Sequence, residues 1–547
     1  MHEDFDVIVV GAGTGMYAAL AAHNAGLRVL LVEKSEYLGG STAMSGGGIW
    51  APGNRVLRAA GLADTKERVL GYLDEVVGDS APRSRRVAFV DHTAPALDLL
   101  MDYTMLSWAH MRGYADYFSD LPGGSAIGRS IEADPVDATL LGPHRHLLRP
   151  TSFGAPVPLP ITARDYKWLN LMTRKPKGLL TAVKRAGQGI GGSMLKREYV
   201  AGGQALAVGL IAAVIDKGIE YWTNTPLLEL TTDNGRVTGV IVEHDGQRQE
   251  IGARRGVIIA SGGFDHNLAL RQRYQSEELE NWSIANPANT GECLQLAEEV
   301  GAQLTNLDQA WWFPVVRPLP GQSAGPMLAE RSLPGSIMVD KTGKRFMNEA
   351  QEYMSAGQIM LGLDGSESKL PVTMIFDQDY RNSYVFSGSV MPRQDLPAQW
   401  YDAGIAFKAE TIDALAAATG LADLPATIHR FNLLASAGTD DDFGRGSTYY
   451  DRYYGDPTQE PNPNLRPLRN GPFYAVSIVP SDLGTCGGIA ADEHARALRA
   501  DGNPIPGLYA VGNAAANAFG NSYPGAGATI GQGIVFGYIA AQHMSAL

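Results

Sequence analysis

The sequence predicts an α/β fold, and three segments carry that prediction. Near the N-terminus an apolar run at 5–10 is followed by a glycine turn, an alanine-rich stretch and a second apolar run at 28–32. A later apolar run, 257–259, ends in a cluster of small residues, and the last 46 residues, 502–547, contain no Asp, Glu, Lys or Arg. Apolar runs that alternate with helical stretches are typical of a parallel sheet covered by helices.

The N-terminal segment has the order strand, tight turn, helix, strand. Gly11, Gly13 and Gly15 occupy the turn, and Glu33 ends the second strand, 22 residues after Gly11. Glycines let the backbone approach a pyrophosphate, the helix N-terminus supplies free N–H groups, and the acid can accept from a ribose hydroxyl. Met16 stands where the third glycine of the common GxGxxG motif would fall. The segment therefore predicts a Rossmann-like dinucleotide site, with an ordinary glycine-rich turn as the alternative.

A second glycine and hydroxyl cluster, 39–48, follows the second strand directly. It is suited to wrap a pyrophosphate and a ribityl chain, for which an NAD enzyme has no need. A third small-residue cluster, 260–263, follows the later strand, and the run LYAVGN occupies 508–513. These separated segments favour a flavin dinucleotide over a nicotinamide.

On these motifs the chain resembles, over nearly its whole length, the flavoprotein family of fumarate reductases, succinate dehydrogenases and 3-ketosteroid dehydrogenases. The resemblance implies a two-dinucleotide FAD-binding domain with an inserted α+β catalytic domain. The His that attaches flavin covalently in some relatives is absent from 41–45, so FAD is expected to be non-covalent. The residues expected to bind FAD are Gly11, Gly13, Gly15, Glu33, Lys34, Gly40, Ser41, Thr42, Ser45, Gly46, Gly47, Gly48, Ala260, Ser261, Gly262, Gly512, Asn513, Ala528, Thr529 and Ile530.

Motif placement divides the chain into two predicted domains. The FAD-binding domain comprises 1–305 and 473–547, and 306–472 forms the catalytic domain, with substrate between the two. The catalytic domain opens with Trp311, Trp312 and Phe313, which we expect to line a substrate channel. Alternation around a Thr-Gly turn predicts a β-hairpin within 331–349.

Dicarboxylate enzymes of this family need Arg and His side chains that converge near the flavin. Here Leu483 and Gly484 stand where those relatives have the His, and 519–523 contains no Arg. Burying two unpaired carboxylates would cost several kcal/mol each. A fumarate reductase-like activity therefore remains only an alternative.

The segment 521–527, NSYPGAG, resembles the C-terminal motif of 3-ketosteroid Δ1-dehydrogenases. The resemblance implies that the Tyr523 hydroxyl and the Gly527 N–H bind the steroid C3 carbonyl. Tyr353 is implied to be the base that removes the C2 proton while the C1 hydride goes to flavin N5, and Tyr117 to support that base. The expected function is 1,2-desaturation of 3-ketosteroids in steroid degradation. The rival readings are a 3-ketosteroid 4,5-dehydrogenase, a subunit that docks on an electron-transfer partner, and a steroid binder without turnover.

Charge is unevenly distributed along the chain. Residues 143–197 contain eleven Lys or Arg and one acid, which gives +10 and leaves −23 for the remainder of a chain whose net charge is −13. The acidic total argues against nucleic acid, whereas the basic, apolar insertion predicts contact with an anionic membrane surface. A lid or an oligomer contact is the alternative. Pro176 and the glycines of 187–192 predict only short helical pieces there.

The N-terminal residues and the cysteines bear on the compartment of the protein. The first strand begins by residue 5, and Cys293 and Cys486 cannot form a disulfide framework, so a cytoplasmic protein is expected. A peripheral position at the inner face of the membrane is the alternative. Cys486 is expected to be a buried small residue. The electron acceptor stays open, with a quinone-like acceptor considered.

Overall fold

The computed structural model describes residues 5–151 and 159–547 and confirms the predicted α/β class. The strands are β1 Phe5–Val10, β2 Val29–Val32, β3 Ile49–Trp50, β4 Trp108–His110, β5 Ser130–Ala133, β6 Val136–Asp137, β7 Tyr199–Val200, β8 Glu220–Trp222, β9 Leu227–Asp233, β10 Arg236–His244, β11 Gln247–Ile259, β12 Leu304–Thr305, β13 Ala310–Val316, β14 Ser336–Val339, β15 Val372–Asp377, β16 Ala406–Ala409, β17 Phe473–Thr485, β18 Gly488–Ile489, β19 Arg496–Leu498 and β20 Pro504–Ala510.

Helices surround these strands. They are α1 Gly15–Asn24, α2 Gly40–Met44, α3 Arg55–Ala59, α4 Lys66–Val77, α5 Arg83–Tyr103, α6 Ala163–Asn170, α7 Pro176–Met194, α8 Gly203–Asp216, α9 Leu268–Tyr274, α10 Glu292–Glu299, α11 Tyr353–Leu361, α12 Gln378–Ser383, α13 Ala398–Asp402, α14 Ile412–Thr419, α15 Leu424–Ala437, α16 Tyr449–Tyr453 and α17 Ala528–Ser545. Among the described residues, 3₁₀ structure also lies at Ala138–Leu147, which Gly142 interrupts with a non-helical conformation, and at Gly512–Ala514.

The larger sheet has the order β19-β20-β11-β1-β2-β8. Strands β20, β11, β1, β2 and β8 run parallel, whereas β9, β10 and the first half of β11 form an antiparallel extension. The carboxyl ends of parallel strands are where open α/β sheets bind ligands. The glycine turn after β1 and the small-residue cluster after β11 therefore meet at one sheet edge.

The charge-free C-terminal segment is buried, which accounts for its composition. Helix α17 packs against α1, and a Cβ on Gly533 would lie 2.6 Å from the Thr14 hydroxyl oxygen. Glycine at this position permits the two helices to approach closely. The segment thus belongs to the core of the larger sheet's layer, where charged side chains would lose their hydration.

A second, five-stranded sheet has the order β13-β17-β15-β14, with β16 paired to β17. Its longest strand, Phe473–Thr485, lies beyond the domain boundary expected at residue 472, and the domain division stays a prediction. The hairpin expected within 331–349 is present only as a minimal turn, in which the Asp340 N–H donates to the Lys344 carbonyl at 2.9 Å. Strand β14 pairs with β15, and only one bridge, Val339 to Arg345, spans the turn.

The basic insertion 143–197 contains residues 152–158, which lie outside the described part of the chain. The expectation of short helical pieces is wrong, because α7 runs unbroken over 19 residues. Pro176 stands in its first turn, where a missing N–H costs nothing. In residues 5–151 and 159–547, no helix has both the length and the apolar content to cross a membrane.

Candidate functional site

One cavity of about 1000 Å³ connects the glycine clusters with a group of tyrosines. All but two of the residues predicted to bind FAD line it, together with Tyr117, Tyr353, Tyr523 and Gly527. The exceptions are Gly15 and Ala528. A Cβ on Gly15 would lie 3.0 Å from the Ala260 Cβ, so this glycine lets α1 pack on the sheet. Ala528 is buried at the start of α17.

The glycine clusters form a backbone cradle that side chains would fill. Gly11 has a φ of 102°, and a Cβ there would lie 2.6 Å from the Ala260 carbonyl oxygen. Helices α1 and α17 both begin at the cavity, with no side-chain cap and no acid in the first turn. Their free N–H groups suit a pyrophosphate. These residues fit a dinucleotide such as FAD.

Polar side chains hold the cradle in place. The buried Glu33 carboxylate accepts from the Ala12 N–H at 2.9 Å and from the Ser35 N–H at 3.0 Å. Asn289, which the sequence analysis missed, donates through Nδ2 to the Ser41 hydroxyl at 3.0 Å and to Asp265 at 2.9 Å. It therefore ties the 39–48 cluster to Asp265, which follows the 260–263 cluster along the chain. No sequence motif marks it, because its partners lie far away along the chain.

The tyrosines predicted from the resemblance lie together at the other end of the cavity. The Tyr117 hydroxyl donates to the Tyr353 hydroxyl at an oxygen–oxygen distance of 2.8 Å. The Gly527 N–H donates to the Tyr523 hydroxyl at 3.3 Å. The rings of Tyr353 and Tyr523 are 5.5 Å apart between centroids. The Tyr117–Tyr353 pair and the Gly527–Tyr523 pair thus line the same cavity.

Local structure positions Tyr353. It is the first residue of α11, and the Glu352 carboxylate caps that helix by accepting from the N–H groups of Met354 and Ser355, both at 2.7 Å. An acidic side chain at a helix start is stabilised by the free N–H groups there. The base candidate therefore lies on a rigid element at a fixed angle to the cavity.

Backbone contacts position Tyr523. The neighbouring Pro524 carbonyl accepts from the Tyr72 hydroxyl at 2.6 Å and from the Tyr117 N–H at 3.2 Å. Gln358, on α11, donates to the Asn521 carbonyl at 2.8 Å. The loop that carries Tyr523 is thus joined both to the segment of Tyr117 and to the helix of Tyr353.

Burial dominates the electrostatics of the tyrosines. It raises the pKa of Tyr353 well above the ordinary value, and the neighbouring Tyr523 raises it further, while the hydrogen bond from Tyr117 lowers it. Burial likewise raises the pKa values of Tyr117 and Tyr523. A phenolate here needs compensation from outside the three rings.

Two expectations about the cavity wall need correction. Phe313 lines the cavity, but Trp311 and Trp312 do not. Trp311 lies behind Tyr523, with centroids 4.5 Å apart, and donates to the Asn513 side chain at 3.1 Å. The lining residues that sequence reasoning missed around the tyrosines are Tyr114, Tyr166 and Tyr454.

Charged groups are few in the described lining of the cavity. Lys34 pairs with Glu292 at 2.8 Å, and Arg145 pairs with Glu198. The only other charged side chain among the described lining residues is Glu33. Within the part of the chain that the structure describes, no cation is left over in the wall for a carboxylate ligand.

Comparison with known proteins agrees with this geometry. The sequence matches the FAD binding domain family over residues 6–530. It is 42% identical to the 3-oxosteroid 1-dehydrogenase of Mycolicibacterium smegmatis, covering 100% of this chain and 98% of that protein. It is 36% identical to the 4-oxocyclohex-2-ene-1-carboxylate 5-dehydrogenase of Sinomonas cyclohexanicum, covering 99% and 94%.

A solved structure is similar throughout. The crystal structure of 3-ketosteroid Δ1-dehydrogenase from Sterolibacterium denitrificans in complex with 1,4-androstadiene-3,17-dione superposes with a TM-score of 0.92 at 34% identity, covering 99% of both chains. The glycine cradle, the matched length and this superposition lead to one conclusion. The chain belongs to the FAD-binding flavoprotein family whose members include the 3-oxosteroid 1-dehydrogenases, and its cofactor is FAD.

Proposed function

We propose that this enzyme catalyses the FAD-dependent 1,2-desaturation of 3-ketosteroids. The observation that carries the proposal is the pairing of Tyr117 with Tyr353 and of Gly527 with Tyr523 around the cavity that the FAD-binding segments also line. The named relatives support the same reaction.

The chemistry needs one electrophilic and one basic group. The proton at C2 is acidic only because C2 lies α to the C3 ketone, so donors on that carbonyl oxygen stabilise the developing enolate. In this proposal the Tyr523 hydroxyl and the Gly527 N–H, which bond to each other in the structure, donate to that oxygen when the ketone is bound. Tyr353 takes the C2 proton. Bound FAD supplies the hydride acceptor for C1. Apart from Glu33 and the ion pairs of Lys34 and Arg145, the described residues that line the cavity carry no charge, which suits a sterol-like ligand.

The wall disfavours substrates that carry carboxylates. A dicarboxylate, or the ring carboxylate named for the Sinomonas relative, would need a free cation, and Lys34 and Arg145 are both paired. Burial of an unpaired carboxylate is costly. The described lining residues therefore favour a neutral ketone over a carboxylate as the substrate.

Anaerobic mixing with a 3-ketosteroid that already carries a 4,5-double bond tests the reaction. We expect bleaching of the flavin absorbance and one equivalent of the 1,4-diene product. A 4,5-dehydrogenase could not oxidise this substrate, and a mere binder would leave the flavin yellow. Absence of bleaching with such steroids would reject the proposal.

The first prediction concerns attachment of the cofactor. Because no His lies within 41–45, acid precipitation should release all the flavin into the supernatant. Yellow colour that stays with the washed pellet would show a covalent bond and contradict the prediction.

We further propose that α7 contacts an anionic membrane surface. Its apolar side chains are exposed instead of packed, including Leu180 at 67% and Met194 at 82%. Lys177 and Lys184 lie exposed on the same helix. Each basic residue near an anionic surface contributes about 1 kcal/mol. Tyr166 on the adjacent α6 lines the cavity, so this contact would bring the cavity close to membrane-dissolved sterols.

Arg185 has to be left out of the membrane test. It is buried and pairs with Asp165 at 2.7 Å, so its charge serves the fold. Replacement of Lys175, Lys177, Lys184 and Lys196 by Gln should abolish salt-sensitive sedimentation with anionic liposomes, while turnover of a soluble steroid persists. The matched control replaces Lys217, Lys341, Lys344 and Lys408, which removes equal charge elsewhere. If wild type ignores anionic liposomes at low salt, the helix is a lid or subunit contact.

A further inference from the structure

Arg331 is a buried guanidinium that bonds only to backbone. It is 1% exposed, and it donates to the carbonyls of Met327 at 3.1 Å, Glu349 at 2.8 Å and Gln351 at 3.3 Å. Among the described residues, no carboxylate oxygen lies within 4.0 Å of its nitrogens. Buried charges are normally paired, so an unpaired one calls for a reason.

The nearby arginines behave differently. Arg345 pairs with Glu349 at 2.8 Å and with Asp440 at 2.8 Å, and Arg445 pairs with Glu349 at 3.2 Å. The carboxylates around the turn before α11 are thus already occupied. The Glu352 carboxylate is taken up by the N–H groups of its helix. The positive charge of Arg331 is therefore not neutralised by a carboxylate in contact with it among the described residues.

The turn that Arg331 binds leads to a cluster of tyrosines. We define this cluster as Tyr114, Tyr117, Tyr353, Tyr450 and Tyr523. The Tyr117 ring is 4.8 Å from that of Tyr450, 5.1 Å from that of Tyr523 and 5.4 Å from that of Tyr353. Two of the three carbonyls that Arg331 binds, those of Glu349 and Gln351, belong to the turn that ends at Tyr353. The guanidinium therefore holds that turn at the edge of the cluster.

The field of Arg331 opposes the effect of burial. Burial raises the pKa values of Tyr114 and Tyr450, and Arg331 is a cation that lowers both. The carboxylates of Glu352 and Asp451 act in the opposite direction on Tyr450. Glu330 and Glu352 face Arg331 as well, without contact within 4.0 Å. The balance of these charges decides how easily the cluster becomes anionic.

We propose that Arg331 is a positioning residue whose charge compensates the negative charge of the tyrosine cluster when Tyr353 acts as the base. The proposal rests on the proposed function. Before the reaction the cluster gives one proton to solvent and keeps one negative charge, shared along the hydrogen bond between Tyr117 and Tyr353. When Tyr353 takes up the C2 proton, its O–H bond forms, the C2–H bond breaks and the negative charge passes to the steroid enolate, which loses it with the C1 hydride. Arg331 acts through Tyr114 and Tyr450 and touches no substrate.

The test is the pH profile of flavin reduction by a 4-ene-3-ketosteroid in the holoenzyme. In the wild type the rate should rise from neutral into alkaline pH, with a midpoint that belongs to the coupled tyrosines. Arg331→Met should move that midpoint upward by about one pH unit or more, as loss of a neighbouring opposite charge does. At neutral pH the rate then falls about tenfold, while the alkaline plateau persists.

Three variants separate charge from structure. Arg331→Lys keeps the charge and should return the midpoint towards that of the wild type. Arg381 is the matched control, because it is also buried and donates to carbonyls, those of Gln394 at 2.8 Å and Val390 at 3.0 Å, and none of these three residues lines the cavity. Arg381→Met should leave the midpoint unchanged. If Arg331→Met does not fold, Glu352→Gln removes an opposing charge and should lower the midpoint.

Failure of this proposal can be told from failure of the proposed function. If Tyr353→Phe retains activity, the base assignment is wrong. If Tyr353→Phe is inactive but the midpoint stays fixed in folded Arg331→Met, or in Glu352→Gln, the role of Arg331 is overturned. A uniform loss of rate at every pH, with no rescue by Lys, also overturns it.

Discussion

Tyr353→Phe should lower the rate of steroid-driven flavin reduction by about 10²–10⁴-fold, the usual contribution of a positioned base. The phenyl ring keeps the contacts with Phe313 and Tyr523 and loses only the hydroxyl that accepts from Tyr117. Tyr117→Phe should cost less, because it removes the partner that stabilises the base and leaves the base itself. Stopped-flow measurement of flavin bleaching gives both rates.

The control for this prediction is a tyrosine with the same chemistry outside the site. Tyr384 is buried and donates to Asp456 at 2.8 Å, and it does not line the cavity. Tyr384→Phe should leave flavin reduction within about twofold of the wild type, since no transition-state contact is lost. Steroid affinity should survive in all three variants. If Tyr353→Phe kept more than about a tenth of the wild-type rate, the C2 proton would be leaving by another route.

Tyr523→Phe should lower the same rate by about 10²–10³-fold, the typical cost of removing one oxyanion-hole donor. The hydroxyl would be lost while the ring keeps its packing on Trp311. Because the enolate is stabilised more than the ground-state ketone, the rate constant should fall further than steroid affinity. With a steroid deuterated at C2, the isotope effect should grow as proton removal becomes harder.

Gly527 offers no equally clean probe of the second donor. Its φ is 88°, and a Cβ there would overlap the Gly48 carbonyl. Any substitution would distort the cradle as well as the donor. The Tyr523→Phe variant is therefore the one that tests whether the carbonyl donors stabilise the enolate. A variant with wild-type flavin reduction and weaker steroid binding would show that the hydroxyl only anchors the substrate.

Motifs of short range predicted the cofactor part of the protein. Gly11, Gly13 and Glu33 lie within one strand–turn–helix–strand unit, and at Gly11 the positive φ and the close backbone approach can be satisfied only by glycine. The charge-free C-terminal segment likewise predicted burial, because unpaired charges are excluded from such a core. The residues expected to bind the steroid carbonyl and to act as the base were predicted from the resemblance to a known family. A tyrosine by itself gives no indication of its role.

Local rules failed where distant contacts decided the outcome. The glycines of 187–192 predicted a broken helix, but α7 is continuous, and a Cβ on Gly192 would lie 2.7 Å from the Tyr199 ring. Trp311 and Trp312 were expected in the channel, and the register of β13 against β17 places them in the core instead. Hydrophobic character predicts burial, but it does not say which neighbour a ring will meet.

The sequence by itself determined the dinucleotide cradle, the α/β class and the absence of the cations that a dicarboxylate would need at 483–484 and 519–523, because these depend on residue type and near neighbours. Only the tertiary structure decided that Tyr117 and Tyr353, 236 residues apart, share a hydrogen bond. It also decided that Arg331 lies unpaired at the turn before Tyr353. These contacts between residues that are distant in sequence depend on how the two sheets pack across one cavity. No periodicity or spacing along the chain encodes that arrangement.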